Sequence, residues 1–351
     1  MNFWSNKKVF ITGHTGFKGG WLSLWLQSLG AEVMGYALEP PTNPNLFQIA
    51  NIQKDMHSII GDIRNLITLK KTLKQFKPEI VIHMAAQPLV RYSYSNPVET
   101  YETNVMGTIN LFEAVRATES VKVILNITSD KCYENSEIDQ VFRESDPMGG
   151  YDPYSNSKGC AELISASYRL SFFNNKDNYI ALATARSGNV IGGGDWAEDR
   201  LIPDFMRSIK REAPIVIRNP NAIRPWQHVF EPLQGYLNLA QGLYNDGAKY
   251  AESWNFGPDS SEAKTVLWVA ERLTYLWGKE ASIKIESSLT NHHEAHFLKL
   301  DCTKAKTQLN WHPKWGLETA LDRICAWYKA YLNGEDMREY SLNEIIAYKL
   351  N

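Results

Sequence analysis

Val9-Phe10-Ile11-Thr12-Gly13-His14-Thr15-Gly16-Phe17-Lys18-Gly19 leads from a short apolar run through three glycines, three residues apart, into a segment where Trp21, Leu22, Trp25, Leu26 and Leu29 recur at helical spacing. The order is strand, tight turn, helix. Glycine is required where such a turn is sharp, where backbone must approach a ligand closely and where the helix packs on its strand. A helix N-terminus reached this way offers unpaired N–H groups and the positive end of its dipole, which suits the pyrophosphate of a dinucleotide. Gly30 stands just past the last apolar position, where a left-handed C-terminal cap is expected.

Outward from this unit, short apolar runs alternate with longer amphipathic stretches, the pattern of a doubly wound α/β parallel sheet wrapped by helices. Strands are expected at Val9–Thr12, Glu32–Tyr36, His57–Ile60, Ile80–Met84, Val121–Thr128 and Tyr179–Ala185, and helices near Gly19–Leu29, Asn65–Phe76, Val98–Ala117 and Tyr154–Phe173. After about Arg186 the alternation gives way to Gly- and Pro-rich loops, with helices expected at Leu233–Tyr244, Thr265–Trp277 and Leu317–Leu332. The expected division is a cofactor domain over residues 1–185 and a smaller C-terminal lobe over residues 186–351, partly interleaved with the first.

Composition narrows the function classes. A chain of 351 residues corresponds to about two domains. Thirty-nine acidic against 37 basic side chains leave a net charge of −2, so nucleic acid and anionic membrane are not expected partners. With 44% hydrophobic residues the chain can bury a large core. No apolar run approaches the ~20 residues of a bilayer span, and Met1 to Lys8 lacks a signal-peptide stretch, so a cytoplasmic location is expected. The four cysteines show no C-x-x-C spacing and predict neither a zinc ribbon nor a disulfide scaffold.

Further features support a dinucleotide site. Gly61-Asp62-Ile63 follows the third strand, where a carboxylate would accept from an adenine amino group, and His83-Met84-Ala85-Ala86-Gln87 ends the fourth with small residues under a flat ligand. Both lie at the carboxyl edge of the sheet, where open α/β folds bind ligands. Glu39 is the nearest acid to a ribose diol and no arginine stands there for a 2′-phosphate, which favours NAD over NADP.

The reacting groups are expected in Tyr154-Ser155-Asn156-Ser157-Lys158. Residues four apart share a helix face, so the ammonium of Lys158 would lie near the phenol and lower its pKa. A tyrosine tuned in this way removes a hydroxyl proton as hydride leaves the same carbon. Upstream, Asn126-Ile127-Thr128-Ser129-Asp130-Lys131-Cys132-Tyr133 closes the fifth strand, and a hydroxyl of Ser129 or Thr128 would reach the same substrate oxygen.

These motifs, together with Asn104-Val105-Met106-Gly107-Thr108, Arg186 and Trp254-Asn255-Phe256-Gly257, resemble the extended short-chain dehydrogenase/reductases along essentially the whole chain. The resemblance implies a Rossmann fold with a nucleotide-sugar lobe and NAD as cofactor. It assigns cofactor contacts to Gly13, Thr15, Gly16, Phe17, Lys18, Gly19, Asp62, Ile63, Ala85, Ala86, Gln87, Asn104, Thr128, Tyr154 and Lys158. The ionisable pair Asp130-Lys131 separates the 4,6-dehydratases from the 4-epimerases, which carry small neutral residues there. Ser129-Asp130-Lys131-Cys132-Tyr133, and a glycine turn containing His14 and Lys18, are similar to the branch acting on CDP-glucose. In that reading Tyr154 handles the C4 hydroxyl proton, Lys158 tunes Tyr154, Asp130 protonates the departing C6 hydroxyl and Lys131 takes the C5 proton. Gln87, Ser129, Asn189, Arg218 and Arg224 are expected to hold the nucleotide-sugar, the arginines because a guanidinium fork suits paired phosphate oxygens. A homodimer is expected through the helices at Val98–Ala117 and Tyr154–Phe173.

Other readings are a dehydratase on another nucleotide-sugar, a 4-epimerase, or a non-catalytic NAD-sensing regulator, the last expected to lack the pairs Tyr154 with Lys158 and Asp130 with Lys131. Asn291-His292-His293-Glu294-Ala295-His296 does not follow H-E-x-x-H and is read as a solvated segment, so no metal is expected. Cys132 is read as a small packing residue, and the 11 tryptophans as core and pocket lining.

Overall fold

The computed structural model describes residues 2–135, 140–175, 178–278, 281–286 and 298–350. The histidine-rich stretch at 291–296 lies outside them. Seven strands, β1 (Lys8–Thr12), β2 (Glu32–Ala37), β3 (His57–Ile60), β4 (Ile80–His83), β5 (Val123–Ile127), β6 (Ala181–Arg186) and β7 (Ser253–Asn255), form one sheet in the order β7-β6-β5-β4-β1-β2-β3. All six pairings are parallel. The sheet reverses direction of growth between β1 and β4, which opens the ligand crevice of a Rossmann fold at the carboxyl ends of those strands.

The apolar runs are continuous because both faces are covered. Val9, Ile11, Ile80, Ile82, Val123, Leu125, Ala181 and Ala183 enter one core, whereas Phe10, Val81, Ile124 and Leu182 enter the other. This is the two-residue alternation of an extended strand. On the first face lies α1 (Phe17–Ser28), with Trp21, Leu22, Trp25 and Leu26 buried. Gly30 has φ +78°, and its N–H bonds the carbonyl of Gln27, as the cap reading requires. The second face is covered by α2 (Leu66–Phe76), α3 (Gly107–Arg116) and α4 (Pro153–Tyr168).

Differences from the expected elements have local causes. The helix expected over Val98–Ala117 is built as Pro97–Tyr101, a π turn at Glu102–Met106, and α3. At the widened turn the Asn104 amide leaves the helix face to bond the backbone N–H and C=O of Gln87 at 2.8 and 3.0 Å. The strand expected from Tyr179 is divided: Asn178–Tyr179 pairs with Asn174–Asn175 in a hairpin, and the sheet strand starts at Ala181. Beyond Arg186 come α5 (Leu201–Lys210), α6 (Phe230–Asn245), α7 (Val266–Trp277), α8 (Leu317–Leu332) and α9 (Met337–Leu350). The region around α5 reads as a Pro-rich loop in sequence, yet Pro203 falls in the first turn, where a helix needs no N–H donor. β7 comes from the second half of the chain and pairs with β6, so the sheet is completed across the Arg186 junction.

Candidate active site

The glycine turn is a close-packed cradle. Gly13 has φ +78°, and a Cβ there would lie 2.8 Å from the backbone of Met84 and Ala85; a Cβ on Gly19 would lie 2.1 Å from the carbonyl oxygen of Gly13. No side chain caps α1 at Gly16, and its first turn carries no acid. Thr15 donates from Oγ1 to the Leu38 carbonyl and ties the turn to the end of β2. These are the conditions a pyrophosphate needs, backbone without side chains at an uncapped helix start. His14 is fully buried, its Nε2 2.7 Å from the Ser58 hydroxyl, and burial pushes it down to about 4, so it is neutral near pH 7. Its ring occupies the space where Gly35 lacks a Cβ.

The other expected cofactor residues line the same edge. The Asp62 carboxylate is held by the guanidinium and backbone N–H of Arg64, the former as close as 2.6 Å, which keeps it below the usual carboxylate range despite partial burial. Ile63 is buried against Gly107. The N–H of Ala85 bonds Thr12 Oγ1, and Ala86 follows it, partly exposed. Gln87 donates to Thr100 Oγ1 and accepts from the Leu89 N–H, so its amide shapes the loop after β4. Thr128 donates to Glu162 at 2.5 Å.

The reacting residues are assembled by two helix starts. Asp152 caps α4 by accepting from the Ser155 N–H at 2.9 Å, and Pro153 occupies the first helical position. Tyr154 and Lys158 therefore begin the buried stripe of α4. At the end of β5, Ser129 caps a single 3₁₀ turn, Asp130–Cys132, by accepting from the Lys131 N–H, and its hydroxyl donates to Asp130 Oδ1 at 3.0 Å. Ser129 lies near enough to the Tyr154 phenol to oppose the upward push of burial on it. Asp130 is 1% exposed, and its Oδ2 has no partner among the described residues. Lys131 is partly exposed and makes no ion pair with a described residue.

Burial pushes the Tyr154 phenol up to about 12, opposed by Ser129 and by the Arg200 guanidinium. The Lys158 ammonium turns to the Ile127 carbonyl at 3.3 Å, and burial lowers it to about 8 against the pull of Glu162. Sequence reasoning missed Arg200, which lies in an aperiodic loop and is held by Asp195 at 2.9 Å. Lys18 reaches this group from α1, 3.5 Å from the Ser187 hydroxyl. Burial, with Lys158 and Arg200 nearby, lowers it to about 7.

Among the expected sugar-nucleotide residues, Asn189 has a left-handed backbone, φ +45°, and its buried Nδ2 has no partner among the described residues. Arg224 lies on the short strand Ile223–Pro225, paired with Ala263–Thr265. Arg218 is exposed and bound to Asp199 at 2.9 Å, an acid that Arg91 also approaches at 3.5 Å. No group of three or more potential metal ligands occurs among the described residues.

Residues 10–324 match the profile of the GDP-mannose 4,6 dehydratase family. A protein named CDP-glucose 4,6-dehydratase from Salmonella typhimurium is 57% identical over 99% of this chain and 97% of its own. A solved UDP-glucose 4-epimerase from Thermotoga maritima, with UDP-glucose, superposes with a TM-score of 0.80 at 20% identity over 93% of this chain and 99% of that one. The dTDP-glucose 4,6-dehydratase of Bacillus anthracis, in complex with NAD, does so with a TM-score of 0.75 at 22% identity over 95% and 99%. The chain belongs to the GDP-mannose 4,6 dehydratase family, within the extended short-chain dehydrogenase/reductases.

Proposed function

We propose that this protein is an NAD-dependent CDP-glucose 4,6-dehydratase, converting CDP-glucose to CDP-4-keto-6-deoxyglucose. The nucleotide follows from the 57% identical relative of that name. The observation that carries the reaction class is the Tyr154–Ser129 pair continued by Asp130, a buried carboxyl with one oxygen open to a donor, and by Lys131. An epimerase needs only the first pair. The glycine turn fits NAD because a Cβ at Gly13 or Gly19 would strike neighbouring backbone and break the close packing of the turn, and no side chain caps the α1 N-terminus.

Bound NAD supplies the acceptor for the C4 hydride and the source of the hydride returned to C6. Tyr154 takes the C4 hydroxyl proton at Oη, and Ser129 holds the same oxygen. Once C4 is a ketone the C5 hydrogen is acidic; Lys131 removes it while Asp130 delivers a proton to the departing C6 oxygen. Asn189 and Arg224 hold the diphosphate, with Arg218 at the rim. Gln87 stands at the sugar.

The homodimer reading is supported by exposed apolar side chains along one pair of helices: Val98 and Met106 before α3, and Leu163 and Leu170 on α4 and its continuation, 49–74% exposed. Light scattering that shows only monomer at micromolar concentration contradicts it. No helix among the described residues is long and apolar enough to cross a membrane. The reaction would take place in the cytoplasm, with the nucleotide-sugar pool. Incubation with CDP-, UDP-, dTDP- and GDP-hexoses, followed by detection of 4-keto sugar in base, tests the assignment. Product from the CDP compound alone is expected; product only from another nucleotide overturns the substrate, and product from none overturns the reaction.

A further inference from the structure

Glu162 and Arg186 touch none of the reacting atoms assigned above, yet both side chains are only 3% exposed and face each other as a two-pronged pair. Arg186 Nε donates to Glu162 Oε1 at 2.9 Å and Nη2 to Oε2 at 2.8 Å. The hydroxyls of Thr128, just past β5, of Thr184 within β6 and of Ser253 at the start of β7 also donate to this carboxylate at 2.5, 2.7 and 3.2 Å. On the far side, Arg186 Nη1 donates to the Tyr133 hydroxyl at 2.7 Å and to the Glu144 carbonyl at 3.2 Å; the Tyr133 hydroxyl donates to Asn255 Oδ1 at 2.7 Å. A buried ion pair is tolerable only when its remaining polar sites are satisfied, and here five donors saturate the carboxylate. Burial pushes Glu162 up, but Arg186 and the hydroxyls outweigh it and hold the carboxyl below its ordinary value.

The arrangement brackets the reacting segment. Thr128 immediately precedes Ser129, and Tyr133 immediately follows the turn Asp130–Cys132. Glu162 continues the stripe of α4 one turn beyond Lys158 and two beyond Tyr154. A single ion pair therefore joins the helix carrying Tyr154 and Lys158 to both ends of the segment carrying Ser129, Asp130 and Lys131. The upstream end is also held by the ladder of β5. The downstream end leaves the sheet; backbone bonds from the Gly149 N–H to the Cys132 carbonyl and from the Glu134 N–H to the Pro147 carbonyl hold it there, and the Tyr133 hydroxyl adds its side-chain hold while its ring stacks on Phe142.

Resting on the dehydratase reading, we propose that Tyr133, Arg186 and Glu162 are positioning residues for the elimination half of the reaction, setting Asp130 and Lys131 against a substrate that Tyr154 oxidises. Tyr133 is the member whose loss separates the two halves, because Tyr154 and Lys158 stand on α4 and keep their places without it.

The test uses the full chain loaded with cofactor and CDP-glucose, comparing parent and Tyr133→Phe. Single-turnover absorbance of reduced nicotinamide reads C4 oxidation, and deuterium uptake from solvent at C5, with 4-keto-6-deoxy product, reads elimination. Oxidation is expected within about twofold of the parent, with C5 exchange and product formation slowed ~10-fold and reduced cofactor accumulating, since misplacement by an ångström costs up to about 100-fold. Equal loss in both steps, or loss in neither, overturns the proposal. If Tyr133→Phe does not fold, Asn255→Ser removes the acceptor of the same hydroxyl and carries the same comparison. A parent enzyme that oxidises C4 without ever eliminating water refutes the dehydratase reading instead, so the two failures are distinct.

Discussion

Gly188→Ala places a methyl group on the Asp130 carboxyl. An ideal Cβ at position 188 lies 1.5 Å from Asp130 Oδ2 and 2.1 Å from its Cγ, whereas ordinary contact begins at 3.4 Å. The carboxyl must therefore retreat by about 2 Å, and because Asp130 is short and buried the packing around it must give as well. The lost Ser129–Asp130 hydrogen bond costs ~1 kcal/mol. Overpacking adds about 1–3 kcal/mol and the reduced freedom of the unfolded chain returns about 0.4–1 kcal/mol, so the fold should hold with a lowered Tm. Function should not hold. If Asp130 protonates the leaving hydroxyl, displacement on this scale removes most of a contribution of about 10²–10⁴-fold. The assay is steady-state formation of 4-keto product, beside a thermal melt and single-turnover C4 oxidation. Product formation, assayed well below Tm, is expected to fall at least ~100-fold. Adding Asp130→Asn to Gly188→Ala should then cost little more, because both act on one carboxyl. Turnover of Gly188→Ala within about threefold of the parent would refute the role given to Asp130.

Two further outcomes follow from the packing and charge of the cofactor turn. Gly35→Ala puts a Cβ 2.2 Å from the His14 ring and is expected to destabilise the fold by ~1–3 kcal/mol in denaturant melts, with His14→Ala in the same chain restoring most of the loss. Lys18 is lowered to about 7 by burial and by Lys158 and Arg200, so the unfolded chain binds its proton more tightly than the folded one between about 7 and its ordinary 10.5. The resulting penalty is complete below about pH 7 and fades as pH rises to about 10.5. Lys18→Met should therefore raise Tm near neutrality and lose that gain in alkali; an equal gain at both pH values would contradict the cause.

The parts of the fold governed by short-range rules were legible in the sequence. The β1–α1 unit, the Gly30 cap and the strands from His57 to Ile127 follow from alternation, helical spacing and glycine geometry, and fall within a few residues of their expected ends. α5 was hidden because proline in a first turn reads like proline in a loop. The π turn at Glu102–Met106 depends on a tertiary bond from Asn104, which no periodicity records. In the site, Tyr154 with Lys158 stood out by spacing, and Glu162, four residues further on the same face, was available to that argument. Arg200 was not, since an aperiodic loop places it, and with it the cation that acts on Tyr154. Spacing also reveals a neighbour but not burial, which has the largest influence on the Tyr154 phenol.

An internal hydride transfer joined to loss of water can be followed with CDP-glucose carrying deuterium at C4. Deuterium is expected to leave C4 and appear at C6 of the 4-keto-6-deoxy product formed from the same molecule. Deuterium retained at C4, as in an epimerised sugar, or absent from C6 of the product, would contradict it.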